Sequence, residues 1–315
     1  MIAESRFDRS EPRNASFKDS ERGRRITVGG PRFIGPDTKI FAMGSCFAVE
    51  IRRALRQKGL TVYPDYPSMA FDPATQMAGR LPERDNINHY DTFVIRQEIE
   101  RAIARGRWSE SDFWSLRANR FSRAKAWPQV FQDPYRRHIF ASSMSALVEL
   151  SDKIGATIDT GLAEADVVLL TLGLTECWRV KSNGRYAALG PENQGDRIFP
   201  LLEFRATTFA ENLDNLRAML DAIWSAYPDK RIVVTVSPVK LAQTWTDDDI
   251  VSANLRSKAT LLAVVSQIRN EYPQLIYWPS FEFSMQGDVY WFDGMHVRGD
   301  VVDIIVASFI DTYSI

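Results

Sequence analysis

The sequence predicts an α/β protein: a three-layer α/β/α sandwich built on a parallel sheet. Three observations point there. Short apolar runs recur in the way buried parallel strands do, at Ile40–Met43, Asp166–Gly173, Arg231–Pro238 and Leu275–Trp278. Helical periodicity separates the later ones, near Thr208–Tyr227 and Ile250–Tyr272. Strands alternating with helices pair in parallel through right-handed crossovers. The 315 residues, 45% of them hydrophobic, suffice for one large core.

The chain opens with a polar arm of mixed charge over residues 1–36, to which no chemistry is assigned. The remainder, 37–315, is expected to form one domain. Its first unit runs from Lys39 to Gly59: an apolar strand, a turn at Gly44, then Phe47, Ile51, Ala54 and Leu55 at helical spacing. Gly59 closes that helix in the left-handed conformation. Leu60–Tyr63 forms a short second strand, cut off by Pro64 and Pro67.

About a hundred residues then precede the third strand, more than a crossover needs. Thr92–Ala104 and Ser142–Ala163 are helix-like, so residues 74–160 are expected to form a helical, lid-like insertion after the second strand. Between Arg101 and Arg137 it holds nine Lys or Arg residues and seven aromatic ones. Two readings are open: a subdomain with aromatic core and solvated arginines, or a lid whose arginines grip phosphate or carboxylate while aromatics stack on sugar or base. A second excursion, Val180–Arg205, carries Gly184, Gly190, Pro191 and Gly195 and is expected to be a hairpin or loop flanking the site. Val301–Tyr313 is the last helix.

Composition excludes several classes. With 39 basic and 40 acidic residues the net charge is −1, so no nucleic-acid partner is indicated. Cys46 and Cys177 have no metal-ligand spacing and make no disulfide scaffold, so no metal is expected. No apolar run is long enough to span a membrane. The first ten residues are charged and lack the apolar core of a signal peptide, so a cytoplasmic location is expected.

In parallel sheets ligands bind beyond the carboxyl ends of the strands. Ser45, Thr175, Ser237, Glu282 and His296 all follow strand ends and can converge there. Ser45 falls in the first turn of its helix, among unpaired N–H groups, where an oxyanion would meet fixed donors; a plain N-cap is the alternative. In Asp293-Gly-Met-His296, the aspartate lies three residues before the histidine. Its carboxylate can hold Nδ1–H and leave Nε2 free as a base.

A glycine–serine turn near the start and Asp-x-x-His near the end resemble the SGNH (GDSL-like) hydrolase superfamily. Gly44-Ser-Cys-Phe-Ala48 is similar to the signature of the GSCFA family within it. The blocks Asn88–Glu98, Asp133–Arg136, Thr171–Glu176, Thr235–Val239 and Ser257-Lys258 also resemble that family, and the match runs from about Lys39 to Ser284.

The resemblance implies a strand order of 2-1-3-4-5 and a serine O-acyl enzyme, an esterase or acyltransferase, acting on a carbohydrate-type substrate. Ser45 would be the nucleophile, His296 the base and Asp293 its orienting acid. Oxyanion and substrate contacts would come from Gly44, Ser68, His89, Gly173, Thr175 and Glu176. The pattern departs from the superfamily's in three places. Thr175 stands where asparagine is expected, no glycine follows the second strand, and the aspartate between glycine and nucleophile is missing. Cys46, beside Ser45 at the same helix start, is the competing nucleophile, because a thiol there ionises more readily. Side chains at consecutive helical positions point about 100° apart, so one of the two faces His296. The implied partners are a small-molecule acyl donor or an acylated glycan. No cofactor is required, and acyl-CoA is a candidate co-substrate. A binding protein that kept the fold without the activity is the rival reading.

Overall fold

Buried apolar residues on both faces mark β1 (Lys39–Gly44) and β7 (Val167–Leu172) as the middle of a sheet, in a computed structural model of the chain. They pair in parallel, from Ile40 opposite Val167 to Gly44 opposite Thr171. On the far side of β1 lies β2 (Thr61–Tyr63). Beyond β7 come β11 (Arg231–Val236) and β12 (Ile276–Tyr277), all parallel. The order β2-β1-β7-β11-β12 is the expected 2-1-3-4-5. The described residues are 30–81, 84–117, 127–188, 198–285, 289–291 and 293–315.

Alternation along β1 divides the core into two layers. Ile40 and Ala42 face α1 (Cys46–Gln57) and α7 (Gly299–Tyr313), packing with Phe47, Leu55, Val302 and Phe309. Phe41 and Met43 face the opposite layer, α3 (Met144–Glu164), α4 (Phe209–Ala226) and α5 (Ile250–Glu271), with Ile154, Leu216 and Leu261 among their cluster. Helix starts carry the side chains their orphan N–H groups require: Thr208 and Glu211 form a capping box on α4, and Asp249 caps α5. The end of the N-terminal arm is tied down. Phe33 and Ile34 donate to Tyr313 O, and Ile34 bridges Ser314. Residues 1–29 lie outside the described ones.

Both helices expected in the insertion are present, α2 (Thr92–Ile103) and most of α3, but it also contains strands that the sequence did not announce: β3 (Gln76–Ala78), β4 (Trp114–Arg117), β5 (Gln129–Gln132) and β6 (Ile139–Ala141), an antiparallel sheet ordered β3-β6-β5-β4. Strands of three or four residues are too short to show periodicity. Trp108, Phe113, Trp114 and Tyr135 are buried in the same cluster as Phe41 and Val168, so these aromatics are core. Two of the arginines are also turned inward, Arg101 and Arg136, which pair with the buried Glu98; Arg107 is exposed and reaches Asp159. Phe121, Arg120, Arg123 and Lys125 lie outside the described residues. The second excursion is likewise an antiparallel sheet, β10-β8-β9, from β8 (Glu176–Val180), β9 (Tyr186–Ala187) and β10 (Leu202–Ala206). Gly190, Pro191 and Gly195 lie outside the described residues.

Candidate active site

The site begins where β1 ends. Gly44 has φ of +141°, and a Cβ there would fall 2.2 Å from the Thr171 carbonyl oxygen, so only glycine makes this turn. The next N–H, that of Ser45, donates to Thr171 Oγ1 at 2.9 Å and to its carbonyl at 3.2 Å. Ser45 is the N-cap of α1. Its hydroxyl accepts from Phe47 N at 3.2 Å and lies 3.3 Å from Thr171 Oγ1, and the residue is 2% exposed. Cys46 is the first helical residue, so its N–H belongs to the donors a helix start leaves unpaired.

The Cys46 sulfur is met by two groups from the loop before α2. Tyr90 Oη lies 3.4 Å from it, and Asn88 Nδ2 donates to it at 3.4 Å and to Tyr90 Oη at 3.1 Å. Asn88 and Tyr90 are two apart in an extended stretch, which places them on one side with His89 on the other. That stretch is pinned at both ends. His89 N donates to Gly44 O at 2.8 Å, while Gly173 N and Leu174 N both donate to Tyr90 O at 3.0 Å.

His296 comes from the loop before α7. Asp293 Oδ1 accepts from the backbone N–H groups of Met295 and His296, and its Oδ2 lies 2.8 Å from His296 Nδ1. The bond to His296, followed by the two backbone bonds, holds the Asp293 carboxyl down at about 2. The imidazole is pushed up to about 9, chiefly by a hydrogen bond with Cys46; burial opposes this and the bond to Asp293 adds to it. His296 is thus held by the Asp293 carboxylate in the crevice that Cys46 also lines. Cys46, Asn88, Tyr90, Asp293 and His296 line one crevice of about 900 Å³.

The structure distributes the sequence candidates unevenly. Ser45 lines this crevice, but its hydroxyl is engaged by Thr171 and Phe47 N, and among the described residues no hydrogen bond joins it to His296. Gly44 serves the turn. Gly173 is a wall residue whose N–H donates to Tyr90 O and whose carbonyl accepts from Lys258 Nζ at 2.8 Å. Thr175 is buried away from the crevice, its N–H donating to Ser257 Oγ. Glu176 lines the crevice, with its oxygens accepting from the Thr244 hydroxyl and Trp245 N. Ser68 is exposed in the 3₁₀ turn Tyr66–Ser68 and does not reach the crevice. Ser237 and Glu282 do not line it either.

His89 is 1% exposed, with Nε2 4.0 Å from Glu98 Oε2. Burial first, then Arg136, Arg52 and Arg101, push it down to about 4 against the pull of Glu98, so it packs as neutral imidazole. Sequence reasoning missed Asn88 and Tyr90, although both flank His89 in a block singled out by resemblance. The available signal was the two-residue spacing of an extended segment. It also gave no role to Lys258, which is fully buried on α5 and pushed down to about 7 by desolvation, with Cys46 pulling the other way. Among the described residues no group of three His, Cys, Asp or Glu side chains could hold a metal ion, and no helix is long and apolar enough to cross a membrane.

No curated protein matches the sequence. Solved structures similar to the chain include a Clostridium thermocellum family 3 carbohydrate esterase, at 14% identity and a TM-score of 0.36, covering 87% of this chain and 94% of that one. A family 3 carbohydrate esterase from Talaromyces cellulolyticus matches at 11% identity and a TM-score of 0.36, covering 86% and 94%. A mutant acetyl esterase with an acetate ion matches at 13% identity and a TM-score of 0.33, covering 86% and 93%. The GSCFA family matches residues 39–309, nearly the whole described chain, and this protein belongs to that family.

Proposed function

We propose that the protein is an esterase that cleaves an O-acyl ester through a covalent acyl-enzyme, with Cys46 Sγ as the attacking atom. The observation that carries this reading is the crevice geometry: Asn88 Nδ2 donates to Cys46 Sγ at 3.4 Å, and His296, its Nδ1 held 2.8 Å from Asp293 Oδ2, lines the same crevice, which arranges Asp293, His296 and Cys46 as a relay. The Cys46 proton passes to His296 Nε2, which then stands as imidazolium beside the thiolate, and the thiolate attacks the ester carbonyl. The resulting oxyanion is met by Cys46 N–H and Asn88 Nδ2–H. Collapse breaks the bond to the leaving alcohol, which takes the proton from His296, and leaves an acyl thioester on Cys46. Water, deprotonated by His296, then attacks the thioester. The acid is released and the thiol is restored.

Hydrolysis is favoured over transfer because the His296 side chain is 39% exposed and water reaches the base. Of the nine basic residues between Arg101 and Arg137 that were expected to hold the phosphates of an acyl-CoA, Arg101 and Arg136 are committed to buried ion pairs. A carbohydrate-type substrate is supported by Trp178 and Trp245, which line the crevice and meet edge to face at 5.1 Å. The test is pre-steady-state release of 4-nitrophenol from 4-nitrophenyl acetate. A burst stoichiometric with enzyme, absent in Cys46→Ala, is expected. A burst that survives Cys46→Ala and vanishes in Ser45→Ala would assign the chemistry to Ser45. No burst and no turnover in the wild type would make the protein a binding module.

A further inference from the structure

Lys258 is a buried cation that the acyl-transfer steps do not use. It lies on α5, fully enclosed, and its Nζ donates to Gly173 O at 2.8 Å. Among the described residues that is the one hydrogen bond of the ammonium, and no carboxylate pairs with it. Taking such a charge out of water costs more than one neutral carbonyl returns, so an apolar side chain of similar length would serve the packing better. A charge kept in the core on these terms points to a task at the site beside it.

The wall between Lys258 and the reactive atoms is thin. Gly173 lines the crevice, and a Cβ on it would fall 3.1 Å from Ser45 Cβ and 2.6 Å from Tyr90 O. Cys46 follows Ser45 directly. Burial pushes Lys258 down to about 7, and the charge that pulls it back up is that of Cys46 on α1. The other group that meets the ammonium, the Gly173 carbonyl after β7, carries no charge and does not titrate. Fastening this loop does not need a cation. Gly173 N and Leu174 N donate to Tyr90 O, and Thr175 N donates to Ser257 Oγ at 2.9 Å. The Thr175 carbonyl accepts from Thr207 N at 2.8 Å and from the Thr207 hydroxyl at 2.6 Å.

We propose that Lys258 is a positioning residue for the acyl transfer: its ammonium, held against the Gly173 carbonyl behind the crevice wall, supplies the positive charge that steadies the Cys46 thiolate until it attacks. The proposal rests on the assignment of Cys46 as the attacking atom. Lys258 keeps its proton throughout. The thiol proton still passes to His296, and no bond forms or breaks at Nζ. Attraction of this kind is screened little by salt, because the cation is out of contact with solvent.

The test is the rate at which iodoacetamide, an uncharged reagent, alkylates Cys46 in the intact protein. At a pH of about 6, where Lys258 holds its proton, Lys258→Met is expected to lower the rate about tenfold or more, the effect of removing one nearby opposite charge. Lys258→Gln keeps a donor for the Gly173 carbonyl without the charge, and its rate should fall as far. The ratio of wild type to variant should shrink as pH rises past about 7 and the lysine loses its proton. Equal rates at low pH overturn the proposal. So does a Lys258→Gln rate restored to that of the wild type, which would make the residue a clamp on Gly173. A ratio that does not change with pH marks a structural loss and overturns it too. If iodoacetamide leaves wild-type Cys46 unmodified, the thiol reading fails and takes this proposal with it; modification of the wild type with no loss in the variants strikes Lys258 alone. NMR of the Lys258 Cε–H groups gives a measurement on chains that retain the lysine. Their midpoint, near 7 in the wild type, should drop in Cys46→Ala, and an unchanged midpoint overturns the proposal even where the Lys258 variants fail to fold.

Discussion

The Cys46 sulfur lies 3.4 Å from Asn88 Nδ2, so an amide from the loop before α2 is set against the first residue of α1. An amide placed there can follow charge from the thiolate to the oxygen of a tetrahedral intermediate. Asn88→Ala is therefore expected to lower kcat by about 10²- to 10³-fold, as removal of one oxyanion donor does elsewhere, with a much smaller change in KM. Steady-state kinetics on 4-nitrophenyl acetate checks this. An unchanged kcat would remove Asn88 from the chemistry.

Ser45 is expected to matter for the fold more than for turnover. Its hydroxyl caps α1, and removing such a cap costs about 1 kcal/mol. Ser45→Ala should lose about that much in urea denaturation and keep activity within roughly tenfold of wild type, whereas Cys46→Ala should be inactive and nearly as stable as wild type.

The relay also makes a statement about pH. His296 holds its proton up to about 9, above the ordinary histidine value of about 6.5. Between those two values the folded chain binds more protons than the unfolded one. The stability this contributes is fully present below about 6.5 and fades as pH rises through about 9. Proton NMR of the imidazole should show a midpoint near 9 in the wild type. Cys46→Ala should lower it, by removing the largest cause, and Asp293→Asn should lower it as well. Asp293→Asn should also cost up to about 10⁴-fold in kcat if the carboxylate fixes the tautomer. A wild-type midpoint at the free-histidine value would separate His296 from Cys46.

Away from the crevice, Glu98 joins the insertion to α3. Its oxygens accept from Arg101 Nε at 2.7 Å and Arg136 Nη2 at 2.9 Å, and Arg136 also donates to Ser151 O on α3. Burial would raise this carboxyl, but Arg136 and Arg101 outweigh it and hold it down at about 2. Its contribution is thus present above the ordinary glutamate value and is lost as pH falls toward 2. Glu98→Gln leaves two buried guanidinium groups short of a counter-charge and should destabilise the protein by about 3 to 5 kcal/mol in urea denaturation at neutral pH. A loss below 1 kcal/mol would show that solvent reaches these groups.

How far the sequence revealed this architecture depended on element length. β1, β7 and β11 are six-residue strands buried over nearly their whole length, and such apolar runs are readable. β3 and β6 have three residues each and lean on each other and on the main core, so nothing local announces them. At the site, Asp293 and His296 were legible because both lie within one turn. The choice between Ser45 and Cys46 was not, because it depends on rotation about the helix axis, which Gly44 sets through a φ of +141°. The superfamily places an aspartate between glycine and nucleophile. Ser45 fills that place here, and Cys46 comes third. Asn88 was hidden for a different reason: it reaches Cys46 from 42 residues along the chain, a proximity that no sequence spacing encodes.

The central claim is that the acyl group is carried by Cys46. The direct measurement is acid quench of the protein during turnover of 4-nitrophenyl acetate, followed by proteolysis and mass-spectrometric mapping of the acetyl group within the peptide containing Gly44-Ser45-Cys46. The account predicts a thioester on Cys46, removed by hydroxylamine at neutral pH and absent from Cys46→Ala. An acetyl group on Ser45 oxygen, retained in Cys46→Ala, would contradict it.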